Sequence, residues 1–174
     1  MREDKSLLMP SATKFGLYMG LFWLFKYSFF ILSVNHTAFG MIYWSLTFLV
    51  PYLAYVFTKR YRDSIGGFIS LHHAWQFGLL TYTCAGLIVA LGHFVFYRFL
   101  APPDLISNTL IEATKALSGT QLEEGAKMLS ETTITPIQMT LQQFMNNIFY
   151  GIILSIPVAA MVKKGKREEC TKKQ

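Results

Sequence analysis

Lys26 is the residue whose chemistry demands most of its surroundings. It lies near the middle of a run, 15–34, that is otherwise uncharged and largely apolar. An ammonium at the centre of a bilayer costs about 2.5–3.5 kcal/mol on insertion scales. No Asp or Glu falls inside this run or the other long apolar runs, so the counter-ion is not a carboxylate of the same spans. The chemistry leaves four kinds of partner: side-chain amides, a lipid phosphate reached along the flexible stem, a carboxylate of another subunit, or an anionic ligand.

Other polar residues fall at a similar depth. His93 sits towards the end of a third apolar run. In the fourth, Gln142 and Asn146 stack at i and i+4, as do Gln143 and Asn147. Together with Lys26 they predict a polar patch between the first, third and fourth helices. It would be an anion-binding site or a set of interhelical hydrogen bonds worth about 0.6 kcal/mol each. Adjacent His72 and His73 point about 100° apart on a helix and have no Cys or acidic companion, so they do not form a metal site. Cys84 and Cys170 have no ligand spacing and read as free thiols. The sequence holds no nucleophile elbow, phosphate-binding glycine loop, dinucleotide fingerprint or zinc motif. Neither a cofactor nor catalytic chemistry is expected.

The elements that must position these residues follow from composition. Apolar residues are 52% and charged residues only 15%, against about 25% in soluble domains, which excludes an ordinary soluble enzyme or a disordered chain. About 20 residues of helix cross the hydrocarbon core. Stretches 15–34, 39–57, 71–98 and 136–162 meet that length, with the third helix starting at 71, ahead of its apolar run. The first is too long and too interrupted by Lys26 to be a cleaved signal, and is read as a retained span. The fold class is therefore all-α, a four-helix transmembrane bundle forming one integral membrane domain.

Orientation follows from Lys and Arg. Apart from Lys26, Arg98, Lys115 and Lys127, every basic residue falls on one side: at the N-terminus, around Lys59–Arg60–Arg62, and in the basic tail 163–174. The positive-inside rule places both termini in the cytoplasm and the connection between the third and fourth spans outside. It also accounts for the net charge of +6 without nucleic acid. Tyr61, Trp75 and Tyr97 sit where interfacial anchors belong, whereas Tyr150 falls deeper and is expected to pack.

The outer connection is expected to be an amphipathic helical hairpin, 104–131. Pro102 and Pro103 stop the third helix, and Leu105, Ile106, Leu110, Ala113 and Leu117 recur at helical spacing. Gly119 breaks that helix, and Thr120 with Glu123 makes a capping box for a second one through Met128 and Leu129. Thr135, Pro136 and Gln138 then mark the start of the fourth span.

One short stretch has a signature of its own. Gly66 and Gly67 permit positive φ, Ser70 can cap the third helix, and Arg62 and Asp63 can pair with each other or with lipid phosphate. The run Tyr61-Arg62-Asp63-Ser64-Ile65-Gly66-Gly67-Phe68-Ile69-Ser70, with Ala74 and Gly78 beyond it, resembles an uncharacterised family of small bacterial four-span membrane proteins. The first span opening with Gly16 and Gly20, the acidic outer hairpin and the Val-Ala-Ala-Met-Val-Lys-Lys exit carry the resemblance across the chain. Family members more often show Gly-Gln-Ala where this chain has His72-His73-Ala74. The resemblance brings no activity with it. It implies a bacterial cytoplasmic membrane and a pathway neighbour, a glycosyltransferase acting on polyprenyl phosphate. The expected role is a non-catalytic accessory or scaffold subunit contacting lipid and a membrane-protein partner or further copies of itself. The alternative is a small transporter or flippase for an anionic lipid or metabolite.

Overall fold

The computed structural model describes residues 6–33, 36–102, 105–120, 123–125 and 134–163. The expected second hairpin helix through Met128 and Leu129 and the basic tail beyond Lys163 lie outside these residues. In chain order the helices are α1 (Leu8–Ser33), α2 (Thr37–Ser64), α3 (Leu71–Val95), α4 (Leu105–Leu117) and α5 (Pro136–Val162). A π-helical turn, Phe96–Leu100, continues α3, and 123–125 are helical as well. Helices α1, α2, α5 and α3 with its π turn are each long and apolar enough to cross a membrane. The chain is an all-α, multi-span integral membrane protein with short helices between its third and fourth spans.

Local sequence sets the helix ends. The Ser70 hydroxyl accepts the His73 N–H at 3.3 Å, an N-cap of α3. Thr135 and Gln138 exchange bonds at the start of α5: Gln138 Oε1 accepts from the Thr135 N–H at 2.8 Å, and Thr135 Oγ1 accepts from the Gln138 N–H at 3.4 Å. Helix α2 closes with the Ile65 and Gly67 N–H groups bonded back to Tyr61 and Arg62 carbonyls, and Gly66 and Gly67 at φ +100° and +81°. That left-handed backbone is what reverses the chain within six residues between α2 and α3. After α4, Glu123 Oε2 accepts from the Gly119 N–H at 2.7 Å and Thr120 Oγ1 donates to the Leu117 carbonyl. The expected capping pair thus works one residue earlier, closing the turn after α4. Leu105 and Leu117 of α4 are half-buried.

The chain forms two compact units, residues 1–89 with 144–174, and residues 90–143. In the first, α1 and α5 each lie close against α3, while α2 packs against α1 and touches α3 through Tyr61. A Cβ added at Gly16 would sit 2.5 Å from Cys84 Cβ, and one at Gly20 would sit 2.9 Å from Ile88 Cβ, so α1 lies backbone-close against α3. At Gly78 an added Cβ would meet Ser155 Oγ at 2.5 Å, and at Gly151 it would meet Tyr82 Cβ at 2.6 Å, so α5 does the same from another side. Small residues at the contact are what let helices approach in lipid, where burying apolar side chains gains little. Helix α2 joins through rings: Phe57 stacks on Phe15 of α1 at 5.0 Å, and Tyr61 stacks on Phe77 of α3 at 4.2 Å and 6°. Phe48, 81% exposed, shows the complementary face, turned to lipid.

Two glycine substitutions separate contact from propensity. Gly151→Ala should destabilise the folded state by about 1–3 kcal/mol, because its methyl overlaps Tyr82. Gly40→Ala, with only Ser33 Cβ at 3.7 Å, should be neutral or stabilising by up to about 1 kcal/mol. Denaturant unfolding in mixed micelles, followed by circular dichroism, reads both.

Candidate functional site

Lys26 is part-buried on α1 and turns to α2. Its Nζ donates to Thr47 Oγ1 at 3.2 Å and lies over the Tyr43 ring, 4.8 Å from the centroid. Thr47 and Tyr43 are one turn apart, and Thr47 Oγ1 itself donates to the Tyr43 carbonyl at 2.8 Å. Pro51 follows one turn on, and lacking an N–H it leaves the Thr47 carbonyl without its helical donor. Among the described residues this short polar strip is what meets the part-buried ammonium. The match is partial: the strip supplies one hydroxyl and one ring face to a group with three donors, and no carboxylate among the described residues pairs with Lys26.

The remaining polar residues expected at this depth do not join Lys26 through any hydrogen bond among the described residues. Asn147 packs its Cβ towards α3, 3.4 Å from where a Gly86 side chain would begin. Asn146, one residue earlier, is exposed. In the second unit Gln142 is exposed, Gln143 is half-buried, and His93 is buried with Tyr97 at 6.2 Å between rings. The arrangement around Lys26 leaves a positive charge with no anionic group beside it among the described residues. Among the described residues it presents no nucleophile beside a base, and no group of three or more His, Cys, Asp or Glu that could hold a metal.

The turn motif is a structural joint. Arg62 Nε and Nη2 donate to Asp63 Oδ1 at 3.0 and 2.8 Å, and Arg62 Nη1 reaches the Val162 carbonyl at 3.3 Å. One guanidinium thus ties the end of α2 to the last turn of α5, whose orphan carbonyls it partly satisfies. Tyr61 is not the interfacial anchor its position suggests. It is fully buried, its hydroxyl paired with His73 Nε2 at 2.8 Å, while His72 is exposed. Tyr150 departs in the opposite sense: expected to pack, it is 57% exposed. Trp75 Nε1 donates to the Ile152 carbonyl at 3.3 Å, linking α3 to α5. Trp23 Nε1, Tyr82 Oη and Ser155 Oγ are buried with no hydrogen-bond partner among the described residues.

The family described as "Protein of unknown function (DUF4199)" matches residues 14–164, and the chain belongs to it. The match includes Lys26, the turn motif and all of α5. No curated protein and no solved structure matches the chain.

The Lys26–Thr47 contact is open to a double-mutant cycle with Lys26→Met and Thr47→Val. A coupling of about 0.6 kcal/mol is expected, the average for a single hydrogen bond between membrane helices. A coupling above about 2 kcal/mol would show that α2 meets the needs of the ammonium unaided.

Proposed function

We propose that this protein is a non-catalytic accessory or scaffold subunit of a bacterial cytoplasmic-membrane complex, with Lys26 as its docking cation. One observation carries the reading. An ammonium set within a membrane span meets only the Thr47 hydroxyl and the Tyr43 ring among the described residues. No Asp or Glu lies within the long apolar runs of this chain, so in this reading a carboxylate in a partner's span supplies the counter-charge at the same depth. A glycosyltransferase acting on polyprenyl phosphate is the partner class that the family resemblance suggests. Transport of an anionic lipid or metabolite remains the second reading, because the same half-satisfied cation could hold a moving anion. In this reading both termini face the cytoplasm, a side assignment that the positive-inside rule supports. The end of the bundle that bears Lys14, Lys59, Arg60 and Lys163 is the basic one.

Lys26→Leu is the direct test of docking. It removes an insertion cost, so expression and membrane integration should be unchanged or improved, while co-purification of the partner in mild detergent should fall at least tenfold. Retention of every reproducible partner by the variant would leave Lys26 a merely tolerated residue. Anion flux in vesicles made from the purified protein, lost with Lys26→Leu, would favour transport instead.

Orientation has its own test in whole cells. A membrane-impermeant thiol reagent should label Ser118→Cys and spare Ser64→Cys. The reverse pattern would invert the topology.

A further inference from the structure

Two polar atoms buried in the first unit are left over by its helix contacts. Trp23 of α1 is 7% exposed and Tyr82 of α3 is 1% exposed. Their rings pack together, 5.5 Å between centroids and tilted by 57°. Neither Trp23 Nε1 nor Tyr82 Oη has a hydrogen-bond partner among the described residues, so the two atoms do not bond each other either. Helix α5 closes over the same place: a Cβ added at Gly151 would sit 2.6 Å from Tyr82 Cβ and 3.0 Å from its Cγ. Groups of the same kind elsewhere in the unit are met directly. Trp75 Nε1 donates to the Ile152 carbonyl, and Tyr61 Oη pairs with His73 Nε2. Ser155 Oγ is also buried without a partner among the described residues, but a short hydroxyl reaches the carbonyl one turn back by rotating about χ1. An indole N–H and a phenol hydroxyl stand too far from their own backbone for that escape.

Each such group left unsatisfied lowers the folding equilibrium roughly fivefold or more. The chemistry of the two atoms indicates what meets them. An indole N–H only donates, and a phenol hydroxyl donates or accepts. Whatever joins them must accept from the first, do either for the second, and fit beside two rings already in contact. A cation finds no lone pair on an indole N–H, and an anion finds no charge here to balance it. Water satisfies all three conditions, and two polar partners lie within the range that buried waters use. We infer that one buried water bridges Trp23 Nε1 and Tyr82 Oη, tying α1 to α3 inside the core. The bridge adds a polar tie to the contacts at Gly16 and Gly20, which join the same two helices. It is separate from Lys26, whose contacts are made with α2.

The test uses the full chain in lipid bilayers, labelled with nitrogen-15 at tryptophan, and proton-detected magic-angle-spinning NMR. Trp23→Phe identifies the indole signal by removing it. In the native chain the Trp23 indole proton should show a cross-peak to a water proton. In Tyr82→Phe that cross-peak should fall at least twofold, because the water loses one of its two partners. Denaturant unfolding in mixed micelles gives a second readout. Tyr82→Phe should lower the folding constant roughly three- to tenfold, the effect of losing one hydrogen bond that is made. Removing a hydroxyl whose bond is not made would raise the constant instead. Phe keeps the ring that packs on Trp23 and over Gly151, and circular dichroism shows that the variant is folded. A cross-peak from the indole proton to the Tyr82 hydroxyl in place of water would overturn the inference. So would the absence of both cross-peaks, or a folding constant raised or unchanged in Tyr82→Phe.

Discussion

Helices in hydrocarbon gain little by hiding apolar side chains from one another, and this constraint shapes the whole bundle. What holds the first unit together is the close approach of backbones, possible only where side chains vanish. Gly16 and Gly20 let α1 lie against Cys84, Ala85 and Ile88 of α3, and Gly78 and Gly151 let α5 lie against α3 from another side. Helix α3 is therefore the hub. Helix α2 lacks comparable glycine contacts with α3 and joins through aromatic rings, Phe57 on Phe15 and Tyr61 on Phe77. It is also the least buried of the four spans.

The same solvent decides the fate of each polar group. Threonine hydroxyls within the spans are met locally: Thr58, Thr81 and Thr83 each donate to the carbonyl one turn back, which costs the bundle no interhelical geometry. Groups that cannot be met locally tie helices together. Tyr61 reaches His73, Trp75 reaches the Ile152 carbonyl, and Arg62 reaches the Val162 carbonyl. Lys26 and Asn146 stand apart from this economy, as do Trp23 Nε1, Tyr82 Oη and Ser155 Oγ, buried with no partner among the described residues. The first is met halfway, by the Thr47 hydroxyl and the Tyr43 ring, and the second is not met among the described residues.

Much of the fold is written in features that act over short range. Apolar run length, the Gly16 and Gly20 spacing, the Ser70 cap and the Thr135 to Gln138 pair each depend on a few neighbouring residues, and each has its counterpart in the structure. The candidate site was less legible because it depends on which helices adjoin. Lys26 and the amides of α5 share a depth, but depth does not say which face turns to which neighbour, and Lys26 turns to Thr47 and Tyr43. Tyr61 and Tyr150 show the same limit. A tyrosine near a helix end looks like an anchor and one deep in a span looks like packing, until rotation about the helix axis buries the first and exposes the second. For the turn at Gly119 to Glu123, a capping pair is readable from residue types, while its offset by one residue is not.

The central claim is that α1 and α5 pack backbone-close on α3. Magic-angle-spinning NMR of the uniformly carbon-13-labelled protein in lipid bilayers tests it without altering a residue. Cross-peaks between Gly16 Cα and Cys84 Cβ, and between Gly151 Cα and Tyr82 Cβ, should be among the strongest long-range signals in the spectrum. If both are missing while intrahelical cross-peaks of the same glycines are resolved, α3 is not the hub and the packing scheme is wrong.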